Sequence, residues 1–147
     1  MKPINEMRLR IESRSVNEAF ARAAVAAFVS QLDPTLEEIS DIKTAVSEAV
    51  TNCIVHAYAD SVGQIYIWAG LYEDGGVRIK IRDTGCGIED VKKAMEPLYT
   101  TLGEDRAGLG FAVMESFCDR LGVRSAPGKG TTVTLTKYIK GRNGDDD

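Results

Sequence analysis

The chain has 147 residues, of which 44% are hydrophobic and 27% are charged, a size and composition typical of one globular domain with its own core. The formal net charge at pH 7 is −4, and Asp145, Asp146 and Asp147 contribute three of those charges. The remaining sequence has no basic excess, so we expect no direct nucleic-acid partner. No apolar run approaches the roughly 18 residues of a membrane helix, and the N-terminus lacks the apolar core of a signal peptide, so we expect a cytoplasmic protein without a membrane partner.

The cysteines and the single histidine do not form a recognisable metal site. Cys53, Cys86 and Cys118 are widely separated and no C-x-x-C pair occurs, which favours neither a zinc site nor a disulfide framework. We interpret the cysteines as small packing residues. His56 is the only histidine of the chain, and we favour a packing role for it as well.

The first part of the chain predicts a strand followed by a helix. Met7, Leu9 and Ile11 alternate with charged residues, which is the period of a half-buried strand. Ser13 or Ser15 can cap a helix that runs to about Leu32. The residues that we expect on its core side are Phe20, Ala23, Ala24, Ala27 and Phe28. Pro34 then breaks the helix, and Thr35 and Glu38 resemble a capping box that opens the next one.

A central helix is predicted over residues 41–59. Its apolar stripe consists of Ile39, Ile42, Val46, Val50, Cys53 and Ala57. Glu48 and Asn52 lie four residues apart, so they share one side of the helix, away from the stripe. A carboxylate and an amide oxygen in this arrangement can hold a hydrated Mg²⁺ and orient a nucleophile. A lone E-x-x-x-N pair is more commonly a half-exposed helical edge, so the downstream sequence decides between these interpretations.

The second half predicts a hairpin, two helices and a last strand. Residues 65–69 and 77–82 alternate around a turn at 73–76 and predict an antiparallel hairpin. Helices are expected over 89–95 and 109–121, with an aperiodic loop at 98–107 between them. In the second helix we expect Phe111, Val113, Met114 and Phe117 to be buried. A strand over 131–138 completes one domain, residues 1–138, and residues 139–147 form a tail that we expect to be disordered.

Three glycine-containing motifs follow the central helix. They are D-x-G-x-G at 83–87 after a strand, G-x-G at 108–110 before a helix, and G-x-G-T at 128–131 before a strand. Glycines allow close approach of the backbone to a flat ligand, and helix N-termini bind phosphates. Each motif alone is weak evidence for a ligand site. No G-x-G-x-x-G opens a βαβ unit and no P-loop is present, which excludes the dinucleotide-binding and P-loop classes.

Together with E-x-x-x-N, the three motifs resemble the ATP site shared by gyrase, Hsp90, histidine kinases and MutL, the Bergerat or GHKL fold. This resemblance implies an α/β (α+β) two-layer sandwich with a mixed, mainly antiparallel sheet and helices on one face. It also implies ATP or ADP with Mg²⁺, bound between the helices and a lid.

Within that superfamily the chain resembles the sporulation anti-sigma F factors. The stretches that carry this similarity are MRLRIESRSVNEAFARAAVAAFVSQLDPTLEEI, TAVSEAVTNCIVHAY, EPLYTT and AGLGFAVMESFCD. The resemblance implies a serine kinase that binds a sigma factor and phosphorylates its anti-anti-sigma antagonist. Residues 59–64 and 102–106 depart from the pattern expected for the family.

The resemblance also implies roles for individual residues. Glu48 would be the general base and Asn52 a ligand of Mg²⁺. Asp83 would read the adenine amine. The other residues implied at the nucleotide are Gly85, Gly87, Ile88, Thr100, Thr101, Arg106, Gly108, Leu109, Gly110, Phe111 and Thr131.

Protein partners follow from the same resemblance. The first helix would contact the sigma factor through Asn17, Glu18 and Arg22, and the family forms homodimers. We expect a C2 dimer built on the N-terminal strand and the neighbouring sheet surface. The alternative function is a non-kinase GHKL module that uses ATP as a switch or hydrolyses it slowly.

Overall fold

The computed structural model describes residues 1–87 and 105–141, with only the backbone for residues 105–109. In chain order the elements are β1 (Asn5–Glu12), α1 (Val16–Val29), α2 (Leu36–Asn52), β2 (Gln64–Leu71), β3 (Gly76–Asp83), α3 (Asp105–Phe117), β4 (Arg120–Ala126) and β5 (Gly130–Tyr138). A 3₁₀ turn, Ser30–Leu32, follows α1, and a π-helical turn, Cys53–Ala57, continues α2. The helix predicted at 89–95 lies outside the described residues.

The five strands form one sheet in the order β1-β2-β3-β5-β4. Each described pair of neighbours is antiparallel, so the described sheet contains none of the parallel pairing that a mixed sheet requires. The register places Ile67 between Leu9 and Ile81, and Ile81 opposite Val133. One face of the sheet is therefore continuous and apolar, as period-2 strands require.

The helices cover this apolar face and enclose the core, which confirms the two-layer α+β fold. Fully buried side chains of the sheet, such as Ile65 and Ile79, join Val25 of α1 and Val46 of α2 in one cluster. Each buried aliphatic side chain of this kind contributes about 1.5–3 kcal/mol relative to exposure. The apolar stripe predicted for α2 is buried at Ile42, Val46, Val50 and Cys53 and half-buried at its two ends, Ile39 and Ala57.

The buried side of α1 differs from the prediction. Its buried residues are Ala21, Val25, Ala26 and Val29. Phe20 is 52% exposed, and Ala23 and Ala27 are also exposed, so the predicted core side was wrong for these three residues. The helix is apolar around most of its circumference, and periodicity alone therefore could not identify the side that meets the sheet.

The start of α2 has the predicted capping box. Thr35 Oγ1 accepts the N–H of Glu38 at 3.1 Å, and the Glu38 carboxylate accepts the N–H of Thr35 at 2.9 Å. The same carboxylate accepts the N–H groups of Lys140 (2.8 Å) and Gly141 (3.1 Å). Residues 139–141, which we assigned to a disordered tail, are thus tied to α2, while 142–147 lie outside the described residues.

The C-terminal third contains a strand that the sequence analysis missed. The helix predicted over 109–121 begins at Asp105 and ends at Phe117, and β4 follows it. Asp119 causes this change, because its N–H donates to the Thr136 carbonyl (2.8 Å) and its carboxylate accepts the N–H of Tyr138 (2.7 Å). These bonds draw the chain into the sheet. Phe111 and Met114 are buried as predicted, whereas Phe117 is exposed.

Candidate functional site

Asp83 ends β3 on the helix side of the sheet and is only 5% exposed. Its Oδ1 atom accepts the N–H groups of Gly85 (3.0 Å) and Thr131 (3.2 Å). Burial raises the pKa of this carboxyl group, and the hydrogen bonds and nearby Arg82 offset part of that rise. Asp83 therefore joins the D-x-G-x-G loop to the start of β5, which brings two of the predicted glycine motifs together.

The second oxygen of Asp83 faces Cys53, the first residue of the π-helical turn. The Cys53 thiol donates to Asp83 Oδ2 at 3.5 Å. Burial raises the pKa of this thiol well above its usual value, and the Asp83 carboxylate adds to the rise. Cys53 is consequently a protonated donor, a more specific role than the packing role that we predicted for it.

The glycines of the D-x-G-x-G loop allow close packing of backbone against backbone. A Cβ atom at Gly85 would collide with the carbonyl of Ala57. Gly87 has a φ of +77°, and a Cβ there would collide with the carbonyl of Ala126. Contacts within the protein thus explain these two glycines, in addition to the approach of a ligand that the sequence suggested.

Tyr58 holds the same loop from the end of the π-helical turn. Its hydroxyl accepts the N–H of Thr84 at 2.7 Å and donates to the carbonyl of Gln64 at 2.8 Å. This residue was not among the predicted site residues. The available signal was an aromatic residue in the last turn of the predicted central helix, which alone does not indicate its distant partner.

Glu48 and Asn52 lie on one side of α2, where α3 approaches them. A Cβ atom built on Gly110 would lie 3.1 Å from Asn52 Oδ1 and 3.4 Å from Glu48 Oε2. Gly110 thus lets the two helices come close at this point. Both polar atoms of the Asn52 amide are buried and have no hydrogen-bond partner among the described residues. Leaving such atoms unsatisfied is costly, so this amide fits a bound ligand.

One cavity lies between Asn52 and Asp83. Its lining residues are Ala49, Asn52, Cys53, His56, Ala57, Asp83, Cys86, Gly87, Phe111, Thr131 and Val133. Its volume is about 60 Å³, far below the roughly 300–1,000 Å³ of typical ligand pockets. The segment from residue 88 to residue 104, which follows Gly87 directly, lies outside the described residues.

The described residues therefore bring together most of the predicted nucleotide site. The residues placed around the cavity or against its walls are Glu48, Asn52, Asp83, Gly85, Gly87, Gly110, Phe111 and Thr131. Ile88, Thr100 and Thr101 lie outside the described residues. Arg106, Gly108 and Leu109 are described only as backbone in the first turns of α3.

The early start of α3 changes the role expected of Gly110. The first four N–H groups of a helix lack partners within it. Gly110 is the sixth residue of a helix that begins at Asp105, so its N–H is engaged inside the helix. The described N–H groups without a partner inside the helix belong instead to residues 105–107, and Gly110 contributes its lack of a side chain.

A metal can be bound here only with help from a ligand or from residues outside the described part. Among the described residues no group of three or more His, Cys, Asp or Glu side chains could hold a metal ion. Asn52 Oδ1 is the sort of oxygen that Mg²⁺ accepts while it keeps waters and phosphate oxygens as other ligands. The orphaned amide thus fits the Mg²⁺ that the resemblance implies.

The residues predicted to contact a sigma factor lie along α1 and are half-buried. Asn17 Nδ2 donates to the carbonyl of Glu12 at 2.9 Å, which ties the helix to β1. Arg22 and Glu18 form an i,i+4 ion pair at 3.5 Å. Beside them the exposed residues Val16, Phe20, Ala23 and Ala27 follow the spacing of one helix face. This face is defined here as the apolar stripe of α1.

Comparison with known proteins identifies the family of this chain. A family model described as a histidine kinase-like ATPase domain matches residues 11–137. The anti-sigma F factor of Caldanaerobacter subterraneus subsp. tengcongensis is 61% identical over 95% of this chain and 96% of its own length. The anti-sigma F factor of Geobacillus kaustophilus is 52% identical over 92% of this chain and 93% of its own length. The chain belongs to the anti-sigma F factor family.

Solved structures show the same fold. The RsbU and RsbW domains of a Mycobacterium tuberculosis protein match 93% of this chain and 33% of that one, with 25% identity and a TM-score of 0.68. The histidine kinase domain of a blue-light activated kinase from Erythrobacter litoralis matches 88% of this chain and 63% of that one, with 19% identity and a TM-score of 0.59. Like these domains, this anti-sigma F factor family member has the GHKL-like architecture. Among its described residues no helix is both long and apolar enough to span a bilayer.

Proposed function

We propose that this family member is an ATP-dependent protein serine/threonine kinase of the cytoplasm, which holds a sporulation sigma factor and phosphorylates its anti-anti-sigma antagonist. The observation that carries the proposal is the orphaned amide of Asn52, one helical turn from Glu48 and in the same cavity as Asp83. A phosphoryl-transfer site needs these three functions: a metal ligand, a base and a nucleotide reader.

The geometry of Asp83 supports adenine as the base. Its oxygens accept two N–H groups and one thiol, and an ionised carboxylate can accept about four hydrogen bonds. One acceptor position therefore remains for an exocyclic amine. A guanine would present a carbonyl oxygen at the equivalent position, and two acceptors would then face each other in a buried site.

Glu48 supports a kinase step because it lies next to the proposed metal ligand. Its carboxylate accepts the proton of the incoming serine hydroxyl while the serine oxygen attacks the γ-phosphorus. The bond from that phosphorus to the β–γ bridging oxygen breaks, and ADP leaves. Mg²⁺ bound at Asn52 would neutralise charge on the phosphate oxygens.

The apolar stripe of α1 supports the sigma-binding part of the proposal. Val16 is 76% exposed and Phe20 is 52% exposed, and exposed apolar groups on one helix face are typical of interaction sites. Arg22 lies beside this stripe and its guanidinium can form a forked pair with a carboxylate. The proposed contact therefore combines an apolar centre with a charged margin.

A homodimer is proposed through β1. This strand is at one edge of the sheet, and its outer edge offers unpaired backbone groups to a second copy. Pairing of two β1 edges about a twofold axis would continue the sheet across both protomers.

One experiment separates the kinase from the ATP switch. The protein is incubated with γ-³²P-labelled ATP, Mg²⁺ and purified antagonist, and retention of the sigma factor on the immobilised protein is measured in parallel. The proposal expects label on a serine of the antagonist and nucleotide-dependent retention of the sigma factor. Release of labelled phosphate alone, with an unlabelled antagonist, would favour the slow ATPase instead.

A further inference from the structure

The face of the sheet opposite the helices is strongly basic, and its charged side chains are exposed. The alternation of the strands places seven exposed cations on it: Arg8, Arg10, Arg78, Lys80, Arg82, Arg120 and Arg124. Two carboxylates, Glu6 and Glu12, lie there as well, near the ends of β1. This open face thus has a formal charge of +5, and the rest of the chain, whose total is −4, carries −9.

Aromatic rings are interleaved with the cations along β2. The register forms two rows in which a ring lies between a cation of β1 and a cation of β3, namely Arg10–Tyr66–Arg82 and Arg8–Trp68–Lys80. The guanidinium carbon of Arg82 is 4.2 Å from the centroid of Tyr66, and Lys80 Nζ is 5.5 Å from that of Trp68. The rings therefore contact the two β3 cations through cation–π interactions, whereas Arg8 pairs with Glu6 at 2.8 Å.

A groove runs across these two rows. Its volume is about 660 Å³, compared with about 60 Å³ for the cavity at Asp83. It is lined by the four cations of the rows and both rings, with Pro3, Glu6, Leu9, Ile67 and Thr132 around them. A groove of this size lies within the usual range for bound ligands.

The charge of the open face decides among its possible occupants. A second copy placed against it would bring two faces of formal charge +5 together, which is unfavourable. An acidic polypeptide would pair with the cations but would make no use of the rings. A single-stranded nucleic acid uses both, because its phosphates pair with cations and its bases stack on aromatic rings.

The spacing of the cations fits an extended strand of phosphates. Arg78, Lys80 and Arg82 alternate along β3, so they repeat at about 6.8 Å, and neighbouring strands are about 4.8 Å apart. We propose that the open face, centred on Tyr66 and Trp68, binds single-stranded nucleic acid with little preference for sequence. This activity is separate from the nucleotide site on the helix side of the sheet.

Trp68 is the only tryptophan of the chain, so stacking of a base on it can be measured directly. The test uses the full chain and a fluorescein-labelled oligothymidylate of 15 nucleotides in 50 mM salt. We expect binding by anisotropy and, with unlabelled strand, quenching of the intrinsic fluorescence. A plot of the logarithm of the association constant against the logarithm of the salt concentration should be linear. Each phosphate contact contributes about −0.7 to its slope, so four to six contacts give a slope of about −3 to −4.

Paired variants separate a site from a general charge effect. The double variant Arg8→Glu with Lys80→Glu should reduce the magnitude of the salt slope by about one to two and weaken binding at least tenfold. Lys43→Glu with Lys140→Glu changes the net charge equally at exposed positions outside the nine charged residues of the open face, and should bind nearly as the parent does. Circular dichroism and binding of a fluorescent ATP analogue confirm that both variants are folded.

Several outcomes would overturn the proposal. Absence of binding at 50 mM salt, or equal losses in the two double variants, would leave no site on this face. Equal affinity for a duplex without quenching would contradict stacking. Tight binding of polyglutamate without quenching would assign the face to an acidic polypeptide, and loss of the dimer in Arg8→Glu with Lys80→Glu would assign it to a second copy.

Discussion

The Tyr58 hydroxyl connects the D-x-G-x-G loop to the edge of β2. It accepts the N–H of Thr84 and donates to the carbonyl of Gln64, and its ring fills the space above Gly63. The loop that it holds begins at Asp83, so Tyr58 fixes the position of the carboxylate without touching the proposed nucleotide. It is a positioning residue.

Replacing Tyr58 by Phe should weaken nucleotide binding while leaving the chemical step intact. Each lost hydrogen bond is worth about 0.5–1.5 kcal/mol, so we expect the Kd for ATP to rise about 2- to 10-fold. Phosphoryl transfer at saturating ATP should remain at the parental rate. Titration with a fluorescent ATP analogue gives the first value, with Tyr138→Phe as control. A parental Kd in Tyr58→Phe would show that the loop is held without this hydroxyl.

At the residue scale, the predictable part of the site was the part fixed by local geometry. The spacing of Glu48 and Asn52 on a helix predicted their shared side, and Asp83 at a strand end was recognisable from its motif. The contact of Tyr58 with Thr84 spans 26 residues and depends on the tertiary fold. The same holds for the thiol of Cys53, since nothing in the local sequence places it against Asp83.

The capping box of α2 joins two distant elements. Glu38 caps the helix and also accepts two backbone N–H groups from the end of the chain that follows β5. Burial alone would raise its pKa, but hydrogen bonds from Thr35, Lys140 and Gly141 outweigh burial and lower the pKa below its usual value. Folding therefore favours the ionised form of this side chain.

Glu38→Ala should destabilise the protein by about 1–3 kcal/mol, because a cap and charge-assisted hydrogen bonds are lost together. Glu37→Ala, in the same first turn and exposed, should cost much less. The difference between the variants should be fully present above the pKa of an unfolded glutamate and should shrink as the pH falls through the lowered folded pKa. Thermal unfolding at pH 7 and pH 3 measures it, and a difference that is unchanged at pH 3 would contradict this role of the carboxylate.

The apolar stripe of α1 makes a separate prediction about the sigma factor. Phe20→Ala and Arg22→Glu should each reduce retention of the sigma factor about tenfold or more, as expected for a central aromatic or arginine contact. Phosphorylation of the antagonist should be largely retained. Leu36→Ala removes another exposed apolar side chain, on α2, and should have no effect. Equal loss of both activities in Phe20→Ala would indicate misfolding or a shared surface.

At the element scale, strands with clean alternation were predictable and two features were not. The apolar residues of α1 occupy more than one side, so the sequence fits two orientations of the helix. The strand β4 follows α3 with only two residues between them, and the apolar residues 111, 114, 117 and 121 continue a helical period into it. The helix ends where Asp119 bonds to β5, a contact that the local sequence does not indicate.

The whole molecule separates its charge between two faces. A net charge of −4 describes neither the basic open face nor the acidic remainder, which is why composition alone gave no reason to expect a polyanion partner. Strand register sorts the charges, because alternate residues of every strand point to the same side. The cationic face also bears on assembly, since it leaves the β1 edge as the better surface for pairing.

We therefore predict a dimer that depends on the β1 edge. Light scattering at micromolar concentration should give the mass of two chains. Replacing Leu9 by Pro removes a backbone donor from β1 and would disturb its core contact, whereas Arg10→Pro alters an exposed position of the same strand. Arg10→Pro is the sharper test of the two, and it should give the mass of one chain while circular dichroism shows a native fold. A monomeric mass for the parent chain would contradict the prediction.

The central claim is that Asn52 holds the metal-bound nucleotide and Glu48 carries the proton in phosphoryl transfer. The most direct measurement compares Asn52→Ala and Glu48→Gln with the parent, using binding of a fluorescent ATP analogue and antagonist phosphorylation on the same preparations. Asn52→Ala should lose Mg²⁺-dependent binding and all activity. Glu48→Gln should bind nucleotide as the parent does and phosphorylate about 10²- to 10⁴-fold more slowly, since a positioned base contributes that factor. Parental phosphorylation by Glu48→Gln, or undiminished Mg²⁺-dependent binding by Asn52→Ala, would contradict the account.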